Sequence, residues 1–164
     1  QNVGWDQPQV LENHTGSVVS NQIRFDDKDN AILVWDREYS QTAGSNQINI
    51  YTKKYNILSG WEDEIQLWGS SFQRGHNAEP KIAVDSTGNA FCVWLETILE
   101  GTEPVIGRGV NIWISNLTPG GEWDQPEILK SGNFLSYPFL TMDDSGKAII
   151  CWQEQDGVFA KLYK

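Results

Sequence analysis

Basic residues are scarce in this sequence. The 164-residue chain has 12 Lys and Arg against 22 Asp and Glu, a formal net charge of −10. The cations are scattered singly, and Lys53-Lys54 is their largest cluster. A nucleic-acid backbone is bound by a cationic surface that releases counterions, and an anionic bilayer asks for much the same. Neither nucleic acid nor membrane insertion is therefore expected. No apolar run is long enough to span a bilayer, and no signal peptide is legible. The sequence starts at Gln1, not Met, which fits either loss of a leader or excision from a longer chain.

Cysteine and histidine are scarcer still, at two each. Cys92 stands two residues before Trp94, and Cys151 directly before Trp152. On aligned strands those offsets point to opposite faces, so no disulfide is expected and both read as small core residues. His14, His76 and the two cysteines offer no zinc spacing and no Ser/His/Asp or Cys/His set. No catalytic residue, metal or cofactor is expected. Asp26-Asp27-Lys28-Asp29 has the look of a calcium loop, but its copies elsewhere in the chain lack the spaced oxygen ligands such a site needs. Asn13-His14-Thr15 and Asn116-Leu117-Thr118 fit a glycosylation acceptor pattern too common to decide a compartment.

What the sequence has is tryptophan, eight of them, and a repeat. Gly4-Trp5-Asp6-Gln7-Pro8-Gln9-Val10-Leu11 returns as Glu122-Trp123-Asp124-Gln125-Pro126-Glu127-Ile128-Leu129, with a degraded copy from Gly60 to Leu67. A second block runs from Ile23 to Trp35, from Ile82 to Trp94 and from Leu140 to Trp152, its closing Trp residues 59 and 58 positions apart. A third element, Asn46 to Tyr51, Val110 to Leu117 and Gly157 to Tyr163, completes each unit. Within a unit, Pro80 to Asp85 alternates with period two, as a half-buried strand does. The Asp-x-x-Gly turn that follows (Asp-x-x-Asp-Asn in the first copy) predicts a tight hairpin, since Asp accepts from amides two or three residues on. Ala90 to Trp94 is apolar on both faces, which suits a strand packed between two other sheets. Asn111 to Asn116 alternates again. Leu95 to Glu100 is the only helical candidate and is too short.

Four strands per unit, repeated in tandem, predict an all-β β-propeller. Labelled a to d outward, the elements run d-abc-d-abc-d-abc: three four-stranded blades, near residues 5–59, 60–120 and 121–164. This is half of a propeller or part of a larger ring. The strand-a, Asp-x-x-Gly-x-Ala, apolar-run-Trp pattern resembles the blade repeats of bacterial sialidase-like and related Trp-rich, lectin-like propellers, over nearly the whole chain. The resemblance implies the fold. For sialidases it would further imply an arginine cluster, a Tyr nucleophile with its Glu, and a Phe/Tyr-Arg-Ile-Pro motif. The chain has four Arg and lacks both that motif and the Ser-x-Asp-x-Gly-x-x-Trp box.

Length concentrates in one set of connections: Glu12 to Gln22, Trp68 to Glu79, Asp36 to Ser45 and Leu95 to Gly109. Loops that long on a compact domain are more often functional than idle. Arg37, Tyr39, Arg74, His76, Glu96 and Arg108 are expected there, flanking a central channel. Trp35, Trp94 and Trp152 end buried strands and read as core, and Trp5, Trp61 and Trp123 read as structural too. Trp68 and Trp113 do not recur and are the better candidates to stack on a ligand. Glu96 and Glu154, two residues past their Trp, could flank a glycosidic bond, although each reads first as a strand end. The functional expectation is a non-catalytic glycan- or ligand-binding module, secreted or on the cell surface. A protein-interaction scaffold and a fragment of a sialidase-like glycoside hydrolase are the alternatives. The unpaired strands at the two ends predict self-association to a six-bladed homodimer.

Overall fold

The computed structural model describes residues 4, 6–42, 45–69, 78–100, 107–118, 121–136 and 138–164, with backbone alone at 40–42, 45–46, 99–100 and 107–108. The described residues form an all-β structure of three antiparallel sheets. In the first, β1 (Ser17–Phe25), β2 (Ala31–Thr42) and β3 (Ser45–Asn56) follow in order, and both β4 (Gly60–Trp61) and β5 (Ile65–Gly69) pair with β3. The second runs β6 (Lys81–Val84), β7 (Ala90–Glu100), β8 (Gly107–Leu117) and β9 (Glu127–Gly132). The third has β10 (Phe139–Met142), β11 (Ala148–Glu154) and β12 (Gly157–Tyr163). Strand β6 lies beside both β1 and β10, and Gln22 accepts from the Ile82 amide at 2.6 Å.

Each first hairpin is turned by the same device. Asp26 Oδ1 accepts from the amides of Lys28 and Asn30, Asp85 from those of Thr87 and Asn89, and Asp143 from those of Ser145 and Lys147, all at 2.8–3.0 Å. The fourth turn residue has positive φ in every copy: Asp29 at 61°, Gly88 at 94° and Gly146 at 82°. Asp tolerates that region better than most side chains, and Gly enters it freely. The turns also meet each other. A Cβ on Gly88 would lie 3.5 Å from an Asp26 carboxylate oxygen, and one on Gly146 would lie 3.2 Å from an Asp85 oxygen.

The middle sheet is packed between the other two, and β7 divides its side chains between them with period two. Ala90, Cys92 and Trp94 join Ile82 and Leu117 against Ile32, Val34, Ile48, Ile50 and Leu67 of the first sheet. Val93 and Leu95 join Val110 and Ile112 against Ile150 and Trp152 of the third. Cys92, Val93 and Trp94 are wholly buried, which is what an apolar run on both faces requires. Asp36, also buried, ties the first sheet to the second: its carboxylate accepts from the Ser20 amide at 2.6 Å and the Glu79 amide at 3.1 Å.

Three expectations change. Three of the four long connections are mostly strand: β1 already begins at Ser17, β2 and β3 pair out to Thr42 and Ser45, and β7 and β8 pair out to Glu100 and Gly107. Among the described residues the strand counts are five, four and three, because the Gly60 to Leu67 segment breaks into two short strands and the third sheet shows no fourth. The two cysteines are free, but only Cys92 is buried; Cys151 is half-buried on the outer face of the third sheet. Burial pushes the Cys92 thiol far up from its ordinary range.

Candidate functional site

Arg37, Glu96 and Glu154 hold one position in the repeat. Each lies two residues past its Trp, on the same face of the strand as that Trp. Each is also six residues into the strand from its Asp turn (31 to 37, 90 to 96, 148 to 154). At about 3.3 Å per residue they sit roughly 20 Å from the turns, toward the opposite end of their sheets. The surroundings differ in all three.

On the first sheet, Arg37 is 1% exposed. It forms an ion pair with Glu12, and its guanidinium carbon lies 5.8 Å from the ring centres of both Tyr39 and Tyr51. The two tyrosine hydroxyls are 2.9 Å apart, and Asn49 donates to Tyr51 at 3.3 Å. Burial and the Tyr51 hydroxyl hold the Tyr39 phenol above its ordinary value, with Arg37 opposing. Segment 11–16 lies over this face: Lys53 Nζ donates to the Leu11 carbonyl at 3.0 Å, His14 meets Glu64 at 2.8 Å, and a Cβ on Gly16 would be 2.6 Å from the Glu38 carbonyl oxygen. Only glycine, here at φ 115°, allows so close an approach.

On the middle sheet, Glu96 is 5% exposed. Its Oε2 accepts from Trp113 Nε1 at 2.8 Å and Asn111 Nδ2 at 3.2 Å, and Ser131 donates to Asn111 Oδ1 at 2.7 Å. Burying a carboxylate is tolerable only with such donors. Trp113 packs against Trp68 with ring centres 5.9 Å apart, and Trp68 is 6.0 Å from Trp94. Both Trp68 and Trp113 pack on the first core, so much of their ring area is already spent on protein.

On the third sheet, Glu154 accepts from Trp152 Nε1 at 2.9 Å and meets Lys130 at 3.1 Å. The Trp152 hydrogen bond, then Lys130, holds its carboxyl below the ordinary value. Unlike Glu96 it lines open space: a groove of about 870 Å³ between Val110, Asn133, Phe134, Leu135, Ser136 and the Gln153–Gln155 strand end. Phe134 is 70% exposed there. Ser136 anchors the groove's wall, donating its amide to the Gln153 carbonyl at 3.1 Å and its hydroxyl accepting from the Gln153 amide at 3.0 Å.

The structure thus brings Arg37 to Tyr39, and Glu96 to Trp68 and Trp113, while Glu154 joins neither group. Arg74 and His76 lie outside the described residues. The Arg108 backbone pairs with Leu99 near the hairpin tip, and its side chain is not described. Asn133, Phe134, Gln153 and Gln155 were not anticipated. The available signal was the connection after β9, where Phe134 and Leu135 stand together between Asn133 and Ser136. No protein-family model matches the chain, and neither a curated protein nor a solved structure is detectably similar to it.

Proposed function

We propose that the three sheets are blades of a β-propeller, and that the chain is a non-catalytic module binding glycans at the end remote from the Asp turns. The groove beside Glu154 is the observation that supports this most. An exposed aromatic ring suits the apolar face of a sugar, and Asn133, Gln153 and Gln155 with the Glu154 carboxylate supply the paired donors and acceptors that hydroxyls need. The groove is open and its lining mixes the apolar Val110, Phe134 and Leu135 with polar side chains, which suits a ligand with both apolar faces and hydroxyls. Glu96 serves as a support: its carboxylate is buried and engaged by Trp113 and Asn111, which fixes Trp113 beside Trp68.

A glycan array tests the proposal. The chain is expected to bind a subset of glycans, with affinity weakened roughly tenfold by Phe134→Ala, the loss of one buried aromatic contact. An array with no binding at high protein concentration removes the glycan reading. Turnover of a fluorogenic glycoside that Glu154→Ala abolishes would replace it with an enzymatic one.

A further inference from the structure

Neighbouring sheets always meet through the same two faces. The Trp94 face of the second sheet packs on the first, and the Trp152 face of the third packs on the second. The matching face of the first sheet points away from both other sheets. Segment 11–16 lies over part of it, where Trp35 stacks on Tyr51 at 5.7 Å and both are buried. The open apolar surface of this face is Ile23 and Phe25, the latter 63% exposed. The opposite face of the third sheet likewise has no neighbour among the described residues.

Equivalent positions show what is missing. Ile112 in β8 is wholly buried, whereas Val158, its counterpart in β12, is 73% exposed. Val93 is wholly buried, and its counterpart Cys151 only half. Ile149 and Leu162 extend this apolar face at 43% and 58% exposure. On the first sheet Ile23 is 40% exposed where Ile82 is 1%. Contiguous apolar surface of this kind marks an interaction site.

The fourth strands point the same way. Leu67 in β5 packs into the core with Cys92 and Trp94, and Leu129 in β9 packs against the cluster holding Trp152. Leu11 is the third member of that repeat position. Its carbonyl is held by Lys53, on the face of the first sheet that carries Trp35. Leu11 therefore lies where the fourth strand of a preceding sheet would reach, and residues 6–10 before it are exposed and pair with no strand among the described residues. The third sheet has the converse defect: among the described residues β12 is its last strand, with no fourth beside it.

We propose that a second copy of this chain fills both places. The third sheet of each copy sets its Cys151, Val158 and Leu162 face on the Trp35 face of the other, and β12 of each pairs with residues 6–11 of the other. Two such contacts about a two-fold axis close a ring of six sheets with no apolar face left open. Whole sheet faces place the contact among the larger, more apolar interfaces. The dimer extends the propeller reading: a folded monomer overturns the dimer and leaves open a ring completed within a longer chain, while failure to bind glycans touches neither.

Light scattering on the 164-residue chain at tens of micromolar is expected to give twice the 18.5 kDa chain mass. Leu162→Glu, at a position exposed in the single chain, is expected to halve that mass while the far-ultraviolet β signal stays. Thiol labelling needs no variant: Cys151 is expected to react slowly in the dimer and at least tenfold faster on dilution to monomer, with Cys92 silent throughout. A cooperatively folded monomer at tens of micromolar overturns the proposal. So does an open-ended ladder of masses, or a dimer in which Cys151 reacts at the rate of a free thiol.

Discussion

Replacing Asp85 by alanine tests whether burial sets the strength of the three equivalent turns. Asp85 is 3% exposed. Its Oδ1 accepts from the Thr87 amide at 2.8 Å, the Thr87 hydroxyl at 2.9 Å and the Asn89 amide at 2.9 Å, and its Oδ2 accepts from the Asn89 side chain. The third turn also rests on it through Gly146. Hydrogen bonds to a charged acceptor contribute roughly 1.5–3 kcal/mol each, but not additively, and amides at a turn can recover some water. The whole change is expected to cost about 3–5 kcal/mol. For a chain of this size each kcal/mol moves Tm by about 2–4 °C, so Asp85→Ala should melt roughly 6–20 °C lower. Thermal melts at pH 7 and a fixed protein concentration measure this. Asp143→Ala is the internal control: the same turn in the same register, but exposed to solvent, so its loss should be clearly smaller. Coincident melts for the two variants would refute the reasoning.

Acid should weaken the same turns. At Asp26 and Asp85 burial opposes ionisation, but hydrogen bonds from Asn30 and Lys28, and from Asn89 and Thr87, outweigh it. At Asp143 the Ser145 hydroxyl leads the lowering. All three folded values lie below the ordinary 3.8, so their contribution is complete above that pH and is lost as pH falls below it. Melts from pH 6 to pH 2 should fall steeply only in the last part of the range; rising stability on acidification would count against the assignment. At the left-handed position, Asp29→Gly should raise stability by about 0.5 kcal/mol and Gly88→Ala should lower it by about 1–2 kcal/mol, both read from denaturant midpoints.

Much of the fold was legible because its signals are local. The turn aspartates and the doubly apolar run of β7 each depend on residues within one hairpin, and the structure forms them as the sequence implies. Strand β6 is a strand as expected but not a half-buried one, since Ile82 and Ala83 are both buried where β1 and β10 flank it. The ends of the long hairpins were not legible. Arg37, Glu38 and Tyr39 carry the polar character of a loop, and only pairing with Ile48, Gln47 and Asn49 across the sheet makes them strand. The Gly60 to Leu67 copy breaks between β4 and β5 at Glu62, Asp63 and Glu64, where three successive acidic residues favour solvent over a ladder. Arg37 looked like a surface grip. It is buried because Glu12, 25 positions earlier in the chain (12 to 37), pairs with it, and such long-range neutralisation leaves no local mark. Phe134 was passed over for the opposite reason: it belongs to no repeated block, so the comparison of copies that found everything else did not reach it.

Sandwiching the middle sheet also decides how the chain loosens. Its amide groups are covered from two sides, while the third sheet has one neighbour and every residue of β12 is exposed. Opening free energies should therefore be graded along the chain, lowest where β12 peels from β11 and approaching the global value at Cys92, Val93 and Trp94. Hairpins β2–β3 and β7–β8 join residues close in sequence over long ladders, so little chain entropy is lost in forming them. The β11–β12 hairpin closes just as locally, through Glu154 and Gly157, so it is its exposure, not the chain entropy of its closure, that makes it the first to leave.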